Sequence, residues 1–359
     1  MGGTTALVYH PRYDGRGFSP FPRAWTRYAV ARQRFEEIGL FRAGVRCYEP
    51  PLASVDEVAL VHDRTYVEFV RAASASGVGS LDGGDTKAWR GVFERALASV
   101  GGSLLGADLL ARGEVTHVFN PGGGLHHARR SAAGGFCVFN DIAVAVRRLQ
   151  RLGYRRVAVV DVDGHHGDGT QELLYDEPVL VVSLHRYGNG FYPKTGGIDE
   201  VGVGAGYGYT VNVPLPPRVG DVAYLEAFDA VVLPLLHHYR PEVLVFQCGV
   251  DGHYADPLVR LGLTTHAYQQ IATRLHDVAH RWCGGRLLVV GGGGYVPENV
   301  ARCWAVVLAT IADVPLPDEM WVSLHDAETP RLDPSAPDQV REVVARLRAL
   351  LFPIHGLSL

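Results

Sequence analysis

Residues 156–168 read RVAVVDVDGHHGD, and this stretch decides the fold. After Arg156 it continues with an uninterrupted run of Val and Ala, which is typical of a strand buried on both faces of a parallel sheet. We therefore predict a strand over Arg156–Asp163. The run leads directly into acidic and imidazole side chains, and open α/β sheets bind ligands at the carboxyl ends of their strands. The stretch thus predicts both a parallel sheet and a site at its edge.

The same type of apolar run recurs along the chain. We predict further strands over Thr116–Asn120, Val179–His185, Tyr209–Pro214, Val243–Cys248 and Arg286–Val290. Helical spacing between them predicts helices over Trp89–Arg112, Asn140–Leu152, Val222–Tyr239, Thr265–Trp282 and Glu298–Ala312. This alternation predicts an α/β fold, a mostly parallel sheet with helices on both faces. We expect one domain over residues 1–314, and a C-terminal extension over residues 315–359 with a final helix near Val340–Leu351.

The composition excludes several classes of protein. Of 359 residues, 47% are hydrophobic and 20% are charged, the net charge is -4, and no long basic tract points to nucleic acid. Residues 1–13 lack the features of a signal peptide, and no apolar run is long enough to cross a bilayer. Five dispersed cysteines without a CxxC pair fit reduced thiols. We expect a cytoplasmic protein without nucleic-acid or membrane partners; the oligomeric state stays open.

Three residues at strand ends form a candidate metal site. Asp163 and His165 stand two residues apart, which places both side chains on one side of an extended chain. Asp251 follows the strand predicted over Val243–Cys248. Two carboxylates and one neutral imidazole suit a catalytic Zn²⁺, because three protein ligands leave one position open. An isolated Asp-x-His is more often a surface turn, but the polar clusters at the other strand ends favour the metal site.

His126 and His127 form a second candidate cluster after the strand Thr116–Asn120. Paired histidines beside a metal serve as general base and general acid when carboxylates fix their tautomers. Asp161 and Asp168 flank the ligand segment and are the natural partners. The alternative is a pair of ordinary loop residues; the preceding glycines and the two spare aspartates favour the catalytic interpretation.

Tyr295 follows the four glycines of residues 291–294. Glycines let the backbone turn tightly and approach a site, and a phenol delivered there donates to the oxyanion of a tetrahedral intermediate. The alternative interpretation of such a run is a phosphate-binding loop. No Gly-Lys-Ser/Thr follows, so the oxyanion role is favoured.

Taken together, the motifs resemble those of the histone deacetylase and acetoin-utilisation family of metal-dependent amidohydrolases. The resemblance spans roughly residues 5–312 and keeps the family's order. It rests on Gly124-Leu-His126-His127-Ala128, Gly135-Phe136-Cys137-Val-Phe-Asn140-Asp141, Asp161–Gln171, Val182-Ser183-Leu184-His185, Gln247–Asp251 and Gly291–Tyr295. It implies an arginase/deacetylase-type fold for the catalytic domain, residues 1–314.

The resemblance also implies roles for individual residues. His127, paired with Asp168, is the main general base and acid; His126, paired with Asp161, is its electrostatic partner; Tyr295 polarises the substrate carbonyl. The implied substrate channel consists of Gly135, Phe136, Tyr192 and Leu258, with Asp85 at the rim. An arginine at the inner end of a cavity corresponds to Arg23. A structural potassium site corresponds to Asp161, Asp163, His165, Ser183 and Leu184; plain strand packing is the alternative for Ser183.

Four positions depart from the commoner family pattern. Leu125 stands where many relatives have tryptophan, Tyr192 replaces phenylalanine, Lys194 replaces a usual glycine, and His253 follows Asp251 closely. These departures leave the expected chemistry intact, whereas acyl preference and rim specificity stay open.

The expected activity is zinc-dependent hydrolysis of the acetyl amide of acetyl-lysine in proteins or peptides, with acetylated metabolic enzymes among the expected substrates. Hydrolysis of acetylated polyamines or other small acetylated amines is the alternative. A ureohydrolase on the same fold would need more carboxylates for two manganese ions. A non-catalytic acetyl-lysine binder would be expected to lack a ligand, a histidine or the tyrosine, and this sequence has them all.

Overall fold

Short apolar runs form the strands of a parallel sheet in the computed structural model, which describes residues 4–358. Within these residues the eight strands are β1 (Thr5–Val8), β2 (Arg46–Tyr48), β3 (His117–Asn120), β4 (Val157–Asp161), β5 (Leu180–Arg186), β6 (Thr210–Leu215), β7 (Val243–Gln247) and β8 (Leu287–Val290). Their order across the sheet is β2-β1-β3-β8-β7-β4-β5-β6, and all neighbouring strands are parallel. The predicted α/β class is therefore confirmed, and β1 and β2 are additions to the predicted strands.

Helices fill the segments between the strands. In the described part of the chain they are α1 (Arg27–Glu37), α2 (Val55–Val58), α3 (Arg64–Ser76), α4 (Val92–Ala111), α5 (Asp141–Arg151), α6 (Asp168–Leu174), α7 (Gly220–Ala227), α8 (Leu233–Tyr239), α9 (Thr265–Trp282), α10 (Pro297–Ile311), α11 (Asp318–Leu324) and α12 (Ala336–Ile354). The helix predicted over Val222–Tyr239 is interrupted by a π-helical turn, Phe228–Val232, just before Pro234. Proline lacks the backbone N–H that a continuous α-helix needs, so the hydrogen-bond pattern shifts there.

Both faces of the sheet are buried, as the unbroken apolar character of the strands predicts. Along β4, Ala158 and Val160 pack into a core on one face, whereas Val157 and Val159 pack into a second core on the other. The first core includes apolar side chains of α1, α9 and α10, and the second includes those of α4 and α5. The helices therefore cover both faces of the sheet, and its strand ends are left for the site.

The C-terminal residues pack on the first of these cores. Val340, Leu347, Leu351 and Phe352 of α12 are buried in it, and α12 contacts α7 and β6. The final helix begins and ends a few residues beyond its predicted bounds. It stays a prediction that residues 1–314 alone form the catalytic domain.

None of the helices formed by residues 4–358 is both long enough and apolar enough to cross a membrane.

Candidate active site

The strands that lead into the predicted site residues are consecutive neighbours in the sheet, in the order β3-β8-β7-β4. Because parallel strands end at the same edge, the loops that follow them converge. In the same order, these loops carry His126 with His127, Tyr295, Asp251, and Asp163 with His165. Residues up to 169 positions apart in the chain, such as His126 and Tyr295, therefore line one cavity.

Asp163, His165 and Asp251 meet as a buried cluster of candidate metal ligands. One ligand atom from each lies within 4.8 Å of the others. Nδ1 of His165 is 2.9 Å from Asp251 Oδ2 and 3.3 Å from Asp163 Oδ1. The imidazole nitrogen and one oxygen from each carboxylate thus face a common point.

Neighbouring groups hold the other carboxylate oxygens in place. Asp163 Oδ2 accepts hydrogen bonds from Gln247 Nε2 at 3.0 Å and from the backbone N–H of Gly293 at 2.7 Å. Asp251 Oδ1 accepts from the backbone N–H of Gly164 at 2.7 Å. Such outer contacts orient the ligands of metal sites. Gln247 is a supporting residue to which no sequence pattern gave a role.

The two close carboxylates of this cluster favour the binding of a cation. Burial and the neighbouring Asp163 raise the pKa of Asp251. Burial opposes protonation of His165, but the carboxylates of Asp251 and Asp163 outweigh it and raise its pKa to about 10. A divalent cation bound here would reduce the repulsion between the two carboxylates, as a proton on His165 does. Two carboxylates and one imidazole are also a donor set that Zn²⁺ accepts.

Each of the paired histidines is held by its own carboxylate, as the sequence predicts. His126 Nδ1 is 2.7 Å from Asp161 Oδ2, and His127 Nδ1 is 2.7 Å from Asp168 Oδ1. An ionised carboxylate only accepts hydrogen bonds, so each Nδ1 carries a proton and donates it. The two Nε2 atoms then lie 3.1 Å apart, and both rings line the cavity.

The two histidines differ in charge because their surroundings differ. Burial opposes the charge on His126, but Asp161 and Asp163 outweigh it and raise its pKa to about 9. Burial and the adjacent His126 lower the pKa of His127 to about 4, despite its hydrogen bond to Asp168. At neutral pH, His126 is therefore the charged ring and His127 the neutral ring that accepts a proton.

The glycine run after β8 allows the backbone to pass against the metal ligands. A Cβ on Gly293 would lie 2.3 Å from Asp251 Oδ2, and a Cβ on Gly292, whose φ is +144°, would lie 2.4 Å from Gln247 Nε2. Neither contact is sterically possible for a larger residue. The run therefore brings Tyr295 to the cavity, and the backbone N–H of Tyr295 donates to Asp256 Oδ2 at 2.8 Å.

Tyr295 keeps its phenolic proton. Burial and the charge of Asp251 raise its pKa well above the usual value for tyrosine. Its ring centroid lies 6.2 Å from that of Phe136 in an edge-to-face arrangement. The hydroxyl is thus a hydrogen-bond donor in a cavity that also holds the two histidines.

The cavity has about 540 Å³ of empty volume, which includes space open to solvent at its mouth. Gly135 and Phe136 line it, as predicted for the channel, and a Cβ on Gly135 would lie 2.3 Å from His127 Cδ2. The remaining lining residues are Gly17, Phe18, Ser19, Ala24, Trp25, Arg27, Tyr28, Gly124, Leu125, His126, His127, Cys137, Asp163, His165, Gly292, Gly293 and Tyr295. The wall therefore combines aromatic and apolar side chains with candidate metal ligands and the two paired histidines.

The Histone deacetylase domain family matches residues 22–311 of this chain. The chain belongs to the histone deacetylase family. An acetoin utilization protein, AcuC of Bacillus subtilis (strain 168), is 36% identical over 346 residues, which covers 92% of this chain and 89% of the relative. A probable deacetylase of Archaeoglobus fulgidus is 38% identical over 301 residues, with 82% of each chain covered. Among solved structures, the crystal structure of the HDA15 HD domain aligns with a TM-score of 0.84 at 29% identity, covering 98% of this chain and 96% of that one.

These matches confirm the family and the arginase/deacetylase-type fold that the motifs imply for this deacetylase. The other predicted channel residues of the deacetylase lie around the cavity, not in its wall. Tyr192 is 44% exposed, and its ring centroid is 5.0 Å from that of His127. Leu258 is half-buried, and its backbone N–H donates to Asp256 Oδ1 at 3.0 Å. Their roles toward substrate stay predictions.

Asp85 lies on an exposed loop beside this cavity. Asp82 Oδ1 accepts hydrogen bonds from the backbone N–H groups of Gly84 and Thr86, which shapes the loop. The hydroxyl of Thr86 in turn accepts the backbone N–H of Phe136 at 3.1 Å. The loop that carries Asp85 is thus fixed next to a residue of the cavity wall.

Arg27 lines the cavity and Arg23 does not, so the assignment of Arg23 is wrong. The Arg23 side chain is 75% exposed and pairs with Glu298 at 2.9 Å. Arg27 lines the cavity, where its Nη1 donates to Gly294 O at 2.7 Å and its Nη2 donates to the Tyr28 hydroxyl at 2.8 Å. The two arginines are four residues apart, and only the packing of α1 distinguishes them.

Ser183 and Leu184 lie on β5, next to the strand end that carries Asp161. Ser183 Oγ is 2.9 Å from His185 Nδ1, and His185 Nε2 is 3.0 Å from Gly196 O. Burial lowers the pKa of His185, so the ring is neutral and its single N–H donates to the carbonyl of Gly196. The Ser183 hydroxyl therefore donates to Nδ1, which leaves the lone pairs of its oxygen free.

Two residues that contact the site, one at Asp168 and one at His165, were not predicted. Arg129 Nη2 donates to Asp168 Oδ2 at 2.7 Å, so Asp168 contacts both His127 and a guanidinium. Phe191 stacks on His165, with centroids 5.1 Å apart and planes at 10°. The sequence indicates the Phe191 contact only through the aromatic pair Phe191-Tyr192. The resemblance assigns the channel role to Tyr192 instead.

The residues that depart from the family pattern differ in their burial and contacts. Leu125 is buried in a small cluster with Ala128 and Cys137. His253 Nε2 is 2.9 Å from Asp326 Oδ2, which connects the loop that carries the candidate ligand Asp251 to the C-terminal extension. Lys194 is exposed in the turn after Tyr192 and has a φ of +75°, a conformation that glycine adopts more readily.

Proposed function

We propose that this protein is a zinc-dependent deacetylase that hydrolyses the acetyl amide of acetyl-lysine in proteins or peptides. The observation that carries the proposal is the joint arrangement of a three-ligand cluster and two carboxylate-bound histidines along one cavity. The relatives named for acetoin utilization and deacetylation support the same reaction class.

Asp163, His165 and Asp251 would hold the zinc ion, because their donor set and burial fit it. When bound, the ion would polarise the amide carbonyl and lower the pKa of a water molecule beside it. The hydrogen bonds from Gln247 and Gly293 keep Asp163 oriented for this role.

His127 and His126 divide the proton chemistry between them. Neutral His127 takes the proton from the attacking water at Nε2, while Asp168 holds its Nδ1–H. The charged His126, held by Asp161, stabilises negative charge that develops in the transition state. His127 then returns the proton to the lysine amine as it leaves, and the Tyr295 hydroxyl donates a hydrogen bond to the developing oxyanion.

The channel residues favour an alkyl chain that carries the acetyl group. Gly135 and Phe136 line the cavity, and Tyr192 packs its ring against His127 near the outside. Glycine at position 135 keeps this passage narrow without a clash on the histidine. A lysine side chain, which is unbranched and apolar along its stem, fits such a passage.

A potassium ion at Asp161, Asp163, His165, Ser183 and Leu184 is part of the proposal. Among the described residues, the backbone carbonyls of Asp163 and His165 accept no hydrogen bond, and Ser183 has free lone pairs on its oxygen. Oxygen donors of this kind suit a hard monovalent cation. The ion would fix the backbone that carries two of the zinc ligands.

The rim favours a peptide over a polyamine. Asp85 is exposed, and its carboxylate would accept hydrogen bonds from backbone N–H groups, which a peptide has and a polyamine lacks. Lys194, in the turn after Tyr192, would repel a polycation. Acetylated metabolic enzymes are the protein substrates that we propose.

The substrate proposal is tested by comparing kcat/KM for an acetyl-lysine peptide with kcat/KM for acetylputrescine and acetylspermidine. The wild type should prefer the peptide, and Asp85→Ala should lower kcat/KM for the peptide but not for the polyamines. Glu342→Ala, which removes an exposed acid from α12, is the matched control and should change neither. Preference of the wild type for polyamines, or an unchanged peptide rate in Asp85→Ala, would contradict the proposal.

A further inference from the structure

A cluster of three histidines lies at the edge of the sheet opposite the catalytic loops. His117 begins β3 at its amino end, whereas the catalytic loops leave the carboxyl ends of the strands. His276 and His280 stand one turn apart near the end of α9, which leads toward the amino end of β8. Residues i and i+4 of a helix share one face, so both rings point to His117. None of these residues belongs to the deacetylase site.

The imidazole nitrogens of the cluster converge. His280 Nε2 is 3.1 Å from His117 Nε2 and 3.0 Å from His276 Nε2. Nitrogens bound at about 2.0–2.1 Å to one tetrahedral zinc ion stand about 3.3–3.4 Å apart, close to these separations. The Asp313 carboxylate lies beside this group, with Oδ2 4.0 Å from His276 Nε2, and its side chain is about half exposed, so it would have to turn inward to act as a fourth donor.

Hydrogen bonding alone is a poor explanation for this geometry. An imidazole nitrogen has one N–H or one lone pair in the ring plane, so His280 Nε2 cannot make well-directed hydrogen bonds to both neighbours. The other nitrogen of His117, Nδ1, lies 3.3 Å from the Thr5 hydroxyl and 3.4 Å from the Thr116 hydroxyl. These contacts hold the His117 ring with Nε2 turned toward the cluster, as outer contacts orient histidine ligands of metals.

We propose that His117, His276 and His280, with Asp313 as the fourth donor, form a second metal site that binds a divalent transition-metal ion such as Zn²⁺. Three imidazoles and a carboxylate suit Zn²⁺, Co²⁺ or Ni²⁺ far better than Mg²⁺ or Ca²⁺, which prefer oxygen ligands. The ion would tie the end of α9 to the start of β3 and to the end of α10. Its role is structural, because it lies at the amino ends of the strands, whereas the cavity that holds Tyr295 lies at their carboxyl ends.

The test uses zinc itself as the probe. Full-length protein is equilibrated with Zn²⁺, freed of excess metal by gel filtration and analysed for zinc content and deacetylase activity. We expect two zinc ions per chain in the wild type, and one in His280→Ala with kcat/KM unchanged. His280 is exposed, so its replacement should leave the fold intact. His266→Ala, which removes another exposed histidine of α9, is the matched control and should keep two ions.

A titration sharpens the result. Zn²⁺ should raise the Tm of Asp251→Ala, in which only the second site remains, and this rise should disappear in the double variant Asp251→Ala/His280→Ala. Loss of His280 should weaken zinc binding at this site by more than about 10²-fold, since loss of an outer-sphere partner alone costs about 10–100-fold. Asp313→Asn, which keeps the shape of the side chain, should weaken it less. One zinc ion in the wild type, or two in His280→Ala, would overturn the proposal.

Discussion

His126 and His127 are adjacent in the chain, yet they carry different charges. The difference arises from partners and not from residue type: two carboxylates surround His126, whereas burial and the charge of His126 itself act on His127. Groups whose environments separate their pKa values take distinct acid–base roles. We therefore propose the neutral ring as the base and the charged ring as its electrostatic partner.

Replacement of His127 by alanine should separate proton transfer from metal binding. We expect turnover to fall by about 10²–10⁴-fold, the usual contribution of a general acid–base group. Zinc content should be unchanged, because the ligand atoms belong to Asp163, His165 and Asp251. Steady-state kinetics on an acetyl-lysine peptide, together with metal analysis, measures both quantities. Near wild-type turnover would show that another group takes the proton.

Replacement of Tyr295 by phenylalanine removes one oxyanion donor and keeps the ring against Phe136. We expect kcat to fall by about 10²–10³-fold with a small change in KM. Tyr192→Phe is the matched control: it also removes a phenol beside the cavity, and we expect little change in kcat. Equal effects of the two substitutions on kcat would contradict the assignment of the oxyanion donor.

At the scale of residues, the sequence predicts the groups that belong to short motifs and misses those that meet through folding. Asp163 and His165 share one strand end, so their proximity follows from the period of an extended chain. Arg129 reaches Asp168 from a different loop, and Arg27 reaches the cavity through the packing of α1. No local pattern distinguishes Arg27 from Arg23, since both precede or begin the same helix.

At the scale of elements, the buried central strands are predictable and the edge of the sheet is not. β4 and β7 are continuous apolar runs, and their observed bounds lie within two residues of the predicted ones. β2 is a three-residue edge strand with two exposed side chains, so it lacks the signal of a buried run. The π-helical turn before Pro234 was also missed, because the apolar spacing continues through it.

One buried histidine stabilises the start of α5. His62 Nδ1 donates to Arg129 O at 2.8 Å, and its Nε2 accepts the backbone N–H of Asn140 at 2.9 Å. Asn140 in turn caps α5 by accepting the N–H of Ala143. Protonation of His62 would put a hydrogen on Nε2, which would then face the backbone N–H of Asn140 and break this hydrogen bond. Burial accordingly lowers the pKa of His62 to about 4.

This pKa predicts how stability depends on pH. The unfolded chain binds the His62 proton near its ordinary pKa of 6.5 and the folded protein only near 4, so the stabilising contribution is complete above pH 6.5 and is lost as the pH falls toward 4. Between pH 7.5 and pH 5 the wild type should lose about 2 kcal/mol more of its free energy of unfolding than His62→Gln does. Urea unfolding at the two pH values measures this difference. His238→Gln, at an exposed position, is the control. The same pH dependence in His62→Gln as in the wild type would contradict this interpretation.

At the scale of the whole molecule, the C-terminal extension is joined to the core and to the site. α12 buries apolar side chains in the first core, and Asp326 binds His253 in the loop that follows Asp251. The sequence predicts the final helix from its spacing. It does not predict this packing, because the partners of α12 lie more than 100 residues away on β6 and α7.

The packing of α12 gives a stability prediction. Leu347 is fully buried in the first core, so Leu347→Ala should lower the free energy of unfolding by about 2–5 kcal/mol, as large-to-small core substitutions do. Arg346→Ala, at the neighbouring exposed position, should change it by less than about 0.5 kcal/mol. Denaturant unfolding of both variants measures the difference. A negligible loss in Leu347→Ala would mean that the extension is dispensable for the fold.

The central claim is that acetate release depends on a zinc ion held by Asp163, His165 and Asp251. The most direct measurement is acetate release from an acetyl-lysine peptide by chelator-treated protein as Zn²⁺ is added back. We predict that chelation abolishes the activity, that Zn²⁺ restores it in the wild type, and that no concentration of Zn²⁺ restores it in folded Asp251→Ala. Full activity of the metal-free wild type, or equal restoration in Asp251→Ala, would contradict the claim.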